Sequence, residues 1–270
     1  MLASLEQERQ VLELFSGASS QQVRQFVEAG DLVKVMLIQD LRKVDRGEFT
    51  RVLAHAGQLP DTGYVPDRFT SPAEQVSHLL QWNREFGLGF TEDQIVAAEA
   101  AVPAFAGDRP LVALTLCWTL GTLEKTVNAK LTIMRHVYGE DKVFVSPSFK
   151  TEAEHTSLVE GAPEFVPNHI WWQVIDLGAS RDKAPDQVPA ATAAGIEVFD
   201  VACQHPVYVR QHNGDDTPYL GIPGIRVEVK LQAKSGPCAP YVHGYSIGYV
   251  EVGVRWADET DSNYATPVRM

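Results

Sequence analysis

The sequence predicts an α+β fold: a helical N-terminal region, then a β-sheet with flanking helices. Three observations carry that expectation. Helix start signals and helical apolar spacing fill the first hundred residues. A nearly continuous apolar run, Leu111 to Trp118, opens a second regime of short β-rich segments. Period-two alternation marks Tyr245 to Trp256.

The helical region divides into caps and faces. Ser4 with Gln7, and Ser19 with Gln22, form capping boxes, in which a hydroxyl and an amide satisfy orphan backbone donors reciprocally. Gly30 stops the second of these helices and Asp31 caps a third. The strongest start is Ser71-Pro72-Ala73-Glu74, which combines an N-cap, proline at the first helical position and glutamate at the third. Val76, Leu79, Leu80 and Phe86 then form an apolar face that ends at Gly87. Thr91 with Gln94 starts another helix, which stops before Pro103. Residues 58–70, with Pro60, Gly63 and Pro66, read as a connecting loop. The expected organisation is therefore a helical region over 1–60 and an α+β domain over 70–268.

After Leu111–Trp118, Gly121 to Tyr138 reads as an amphipathic helix and Val143-Phe144-Val145 as a brief strand. Ile170 to Ile175 reads as a strand, and Val188 to Gln204 as a helix ending before Pro206. Ile225–Val229 and the alternating Tyr245–Trp256 close the pattern. The order resembles a split βαβ unit with an added strand.

Charge and cysteine content limit the function classes. The net charge is −12, and neither half of the chain is basic. Nucleic-acid binding starts from a basic surface that releases phosphate counterions, so that class is disfavoured. Cys117, Cys203 and Cys238 are widely spaced and form no CxxC pair. Neither a zinc site nor a thioredoxin-like site is indicated, and a reducing, cytoplasmic setting is expected. The longest apolar stretch, Pro110 to Leu120, is too short to span a bilayer.

No motif specifies a cofactor or metal. Gly121-Thr122-Leu123-Glu124-Lys125-Thr126 follows a strand as a phosphate loop does, but Glu124 stands where glycine is required. Its residues read as a helix start with Lys125 and Thr126 on a solvated face. His212-Asn213-Gly214-Asp215-Asp216 reads as a tight turn rather than a metal loop. Cys203 reads as a core thiol, and Cys238, between two prolines, as the most exposed of the three.

Four ordered stretches carry a resemblance. They are Ser71 to Gln75; Trp172 to Ala179; His205-Pro206 followed by Pro218-Tyr219 and Pro223-Gly224; and Trp256-Ala257-Asp258 followed by Tyr264 to Pro267. Together they resemble a recurrent family of proteins of unassigned activity in the Patescibacteria, the reduced-genome candidate bacterial phyla. The resemblance implies a bacterial cytoplasmic setting and carries no catalytic role.

Two function classes follow. The leading expectation is a non-enzymatic interaction or binding protein, with an unknown protein or small-molecule partner. Its contact surface would draw on Trp171, Tyr208, Tyr219, Tyr241, Tyr245 and Trp256. The alternative is a small-molecule hydrolase or transferase with a dispersed site. There His205 would act as general base, Arg226 would hold an anionic group, and His169 and Asp258 would complete the set.

Overall fold

The computed structural model describes residues 69–105, 111–210, 218–230, 235–245, 249–261 and 263–270. The readings made for residues 1–68 and for His212–Asp216 lie outside the described residues.

Helix α1 (Pro72–Phe86) starts as its sequence dictates. Ser71 Oγ accepts the Glu74 amide at 3.3 Å, and the Ser71 amide donates to Glu74 Oε2 at 3.1 Å. Gly87 closes it with a left-handed φ of 64°. Helix α2 (Glu92–Ala100) begins with the Thr91–Gln94 box. Asn83 joins the two helices: its amide group donates to Phe90 O at 2.9 Å and accepts from Phe90 N at 3.0 Å.

Strand β1 (Val112–Trp118) is buried along its whole length. It pairs antiparallel with β4 (Ile170–Asp176), from Val112↔Asp176 to Trp118↔Ile170. The C-terminal β10 (Val268–Arg269) lies on the far side of β4 and completes a three-stranded sheet. The outer edge of β1 is closed by a side chain. Gln75 Nε2 donates to Leu114 O at 2.9 Å, and Leu116 N donates to Gln75 Oε1 at 2.7 Å. One amide thus replaces a missing neighbour strand.

Helix α3 (Leu123–Tyr138) follows β1 and leads to β2 (Val143–Val145). Strand β2 does not return to the sheet of β1. It pairs in parallel with β8 (Val250–Trp256) in a second sheet. A single-sheet βαβ unit is therefore not formed here, although the α+β class holds. The second sheet runs β2-β8-β7-β5-β9, with β7 (Ser235–Gly244) at its centre. Strands β5 (Tyr219–Gly221) and β6 (Ile225–Lys230) share one side of β7, β3 (Thr156–Leu158) pairs with β6, and β9 (Tyr264–Ala265) pairs with β5.

Only the end of the expected 188–204 helix is helical: α4 spans Glu197–Gln204. The preceding backbone is engaged elsewhere. Ala193 bridges to Val268, Ala194 N donates to Pro267 O, and Gly224 N donates to Ala194 O. A Cβ on Gly224 would sit 3.0 Å from Ala194 O, so this approach needs glycine. Pairing with two distant segments overrides the local helical period. After His205 the chain restarts as α5 (Pro206–Arg210), with proline at its first position.

The core joins both sheets to these helices. Leu116, Ile133, Phe199, Val227, Val242 and Val252 are all in it. Cys238 belongs to it as well and is 2 % exposed, contrary to the exposed position expected for it. Its strand pairs on both sides, so the flanking prolines mark no open loop.

Candidate functional site

Strand register sorts the second sheet into two faces. On one face Leu220 and Val242 are neighbours, as are Val242 and Val252, and Gly244 and Val250. These residues are buried, and Gly244 packs against Val209 of α5. Period-two geometry sends their chain neighbours to the opposite face. There stand Tyr219, Tyr241, His243, Glu251, Arg255 and Tyr264.

Aromatic rings dominate this outer face. Tyr219 and Tyr264 meet edge to face with centroids 4.8 Å apart, and Tyr241 meets Tyr264 likewise at 5.3 Å. His243 lies between Tyr219 and Tyr245, at 3.4 Å and 4.1 Å. Gly253 makes room for the Tyr241 ring, which occupies the place a Cβ would take. Phe144 of β2, opposite Glu251, is 56 % exposed, and Tyr245 and Tyr249 are 38 % exposed, so ring surface reaches solvent.

A carboxylate sits within the rings. Glu251 accepts from the Tyr241 hydroxyl at 2.8 Å and from the Tyr245 hydroxyl at 2.5 Å. The bond to Glu251 and partial burial push the Tyr245 phenol up to about 12. Burial, with Asp261 nearby, raises Tyr264 to about 12, against the opposing pull of Arg255. Arg255 stacks over Tyr264 at 4.2 Å and donates to Glu259 O. Its other terminal nitrogen, Nη1, is buried with no hydrogen-bond partner.

The residues expected from sequence distribute unevenly. Tyr219 and Tyr245 fall on this face. Arg226 points to the same side of the sheet by register, donates to Pro223 O at 2.7 Å, and has Asp186 as its nearest influential carboxylate. Asp258 is exposed in the turn after β8. Trp256 faces the other way, opposite Cys238, and packs against the core. His169 is exposed just before β4 and stacks on Trp171 at 5.4 Å. Trp172 turns to the other face and donates to Ala98 O of α2 at 2.7 Å.

Two of the expected site residues are inside the protein. Tyr208 is 1 % exposed and stacks on Phe69 at 5.1 Å, so it lines no surface. His205 is 0 % exposed. Its Nδ1 accepts from Thr70 N at 3.0 Å, and its Nε2 lies 3.1 Å from Thr115 Oγ1. Burial, reinforced by His78, lowers its pKa to about 3. The proton therefore stays on Nε2 and the ring serves as a neutral latch between β1, α4 and the chain before α1. A general base needs a titrating nitrogen open to substrate, and this ring has none.

A second constellation lies in the core. Lys130 of α3 and Asp200 of α4 form a short ion pair with both side chains at 0 % exposure, and Lys130 Nζ stands 4.1 Å from the Trp118 ring. Burial pushes the Asp200 carboxyl up to about 7, while Lys130 pulls it back. Burial foremost also raises the thiols of Cys117 and Cys203, so they remain protonated. With no exposed group, this arrangement supports packing rather than chemistry on a ligand. Thr126 is likewise buried rather than solvated: it accepts from Leu120 N and donates to Thr122 O, both at 2.8 Å.

No family model, curated protein or solved structure matches the chain. Among the described residues, no cluster of His, Cys, Asp and Glu could hold a metal ion, and no helix is long and apolar enough to cross a membrane.

The sequence reading set Glu251 and Arg255 on one side of a single strand and did not join His243 and Tyr264 to them. The signal existed within each strand: Tyr241, His243 and Tyr245 alternate, as do Tyr249, Glu251 and Arg255. What was missing was the pairing that sets those alternations side by side.

Proposed function

We propose that this chain is a binding protein whose contact surface is the outer face of the second sheet. The observation that carries the reading is the clustering of Tyr219, Tyr241, Tyr245 and Tyr264 around Glu251 on a sheet face with exposed ring surface. Tyrosine offers large contact area at little conformational cost, with a hydroxyl for orientation. A catalytic role has less support. Of the four candidates for a dispersed active site, His205 is a neutral core residue and His169 lies just before β4, a strand of the other sheet.

The setting we propose is the bacterial cytoplasm. It rests on the Patescibacteria resemblance and on three widely spaced cysteines that form no CxxC pair, which suits a reducing compartment. The net charge of −12 favours a protein or small-molecule partner over nucleic acid.

The test is a thermal-shift screen of the full chain against a library of metabolites and short peptides. Compounds that raise the melting temperature are then measured on Tyr219→Ala/Tyr245→Ala. Loss of the shift in the variant is the expected result. Shifts that persist unchanged in the variant, or conversion of a bound compound into product, overturn the reading.

A further inference from the structure

We propose that the occupant of this face is a basic, arginine-bearing extended segment of a partner protein. The inference rests on the binding-surface reading above and adds the chemistry of what is bound.

The rings of this region already take cations. Arg255 lies 4.2 Å from the centre of Tyr264, and Lys142 Nζ lies 4.3 Å from the centre of Tyr249. A guanidinium stacks flat on such rings and is more weakly hydrated than an ammonium, which favours arginine over lysine.

The surrounding charge points the same way. Glu251 lies among the rings, and Asp258, Glu259 and Asp261 are exposed in the turn that joins β8 to β9. Asp261 and Glu251 both push the Tyr219 phenol up, secondary to burial, so their negative field reaches the ring. The chain as a whole carries −12. Anionic partners, such as phosphate backbones or acidic lipid surfaces, are repelled by the same field.

Shape selects a segment over a single small cation. Tyr219 and Tyr241 each meet Tyr264 edge to face, and the partly exposed rings of Tyr245, Tyr249 and Phe144 extend this cluster into an open platform. The platform crosses five strands, β2-β8-β7-β5-β9. At about 4.8 Å per strand spacing it is roughly 19 Å wide, which an extended segment of about six residues spans.

The test uses the full chain and a short amidated peptide with arginine at every second position, with lysine and glutamate counterparts. Binding is read by fluorescence anisotropy at about 0.05 M and about 0.3 M sodium chloride. The arginine peptide is expected to bind more tightly than the lysine peptide, and the glutamate peptide not at all. Tyr219→Ala/Tyr245→Ala and Glu251→Gln are each expected to weaken it about tenfold. Tyr219→Phe/Tyr245→Phe, which keeps the rings, is expected to retain most of the affinity. Glu160→Gln/Glu164→Gln, which removes two exposed charges in the loop between β3 and β4, is expected to change it less than twofold.

Equal weakening by the Glu160/Glu164 variant overturns the inference, since attraction to the chain would then be non-specific. Failure of the arginine peptide to bind also overturns it. If a neutral library compound nonetheless binds through Tyr219 and Tyr245, only the charge inference falls and the contact surface stands.

Discussion

Lys130 and Asp200 form an ion pair from which solvent is wholly excluded. Two helices that follow different strands, α3 and α4, are thereby fixed to one another inside an apolar core. Taking both charges out of water costs several kcal/mol per ion, and the short contact and the neighbouring Trp118 ring help to offset that cost. The pair therefore specifies how the helices meet more than it adds to stability.

Removing one member leaves the other charge buried and alone. Lys130→Met is expected to lower unfolding free energy by about 3–5 kcal/mol, measured by urea denaturation. The double variant Lys130→Met/Asp200→Leu is expected to recover most of that loss. A double variant no more stable than the single would show that the pair is not the cause.

Two buried groups impose opposite pH dependences. His205 has a folded pKa of about 3 against 6.5 unfolded, so its contribution is present above pH 6.5 and is lost as pH falls towards 3. The loss is about 5 kcal/mol at the acid end. Asp200 has a folded pKa of about 7 against 3.8, so the folded state holds its proton more tightly and stability falls as pH rises through 7. Between about pH 4 and 6.5 the two effects oppose each other. Relative to the parent, His205→Gln is expected to gain stability on acidification through this window, and Asp200→Asn to lose it. Urea midpoints at stepped pH read both, and parallel curves for parent and variants would contradict the assignment.

Gln75 closes the edge of β1 with one amide. Gln75→Leu keeps the volume but leaves the buried Leu116 amide without its side-chain acceptor, while Leu114 O keeps its bond to the His205 ring. The expected loss is about 1–3 kcal/mol, the cost of one unsatisfied buried donor. Native-state hydrogen exchange should show the Leu116 amide exchanging faster. Unchanged exchange at that amide would show that the edge is closed by something else.

Gly253 leaves room for the Tyr241 ring. Gly253→Ala places a methyl where that ring lies, and is expected to cost about 1–3 kcal/mol. The cost should shrink in a Tyr241→Ala background, because the obstruction is gone. An additive double-mutant cycle would argue that the strain lies in the backbone instead.

The fold was legible in sequence where interactions are local. Ser71 with Glu74, Thr91 with Gln94, and Gly87 each set a helix boundary through bonds within a few residues. The apolar run of β1 declared itself buried, and every residue of the strand is. The alternation in Tyr249, Glu251, Gly253 and Arg255 correctly separated two faces of β8. Trp256 illustrates the limit. The alternation sets it with Val250, Val252 and Val254, and it packs against the core, although its aromatic character suggested a contact surface.

The sequence by itself determined the α+β class, the caps, the buried first strand and the acidic balance, because each depends on neighbours in the chain or on a sum over it. Only the tertiary structure decided that β2 joins β8, that Ala193 and Ala194 pair with distant backbone rather than forming helix, and that His205 is latched in the core. It alone set Tyr219, Tyr241 and Tyr264 around one another, from strands separated by up to tens of residues. Those outcomes hinge on which edges pair and what burial does to a side chain, and neither is written in local spacing.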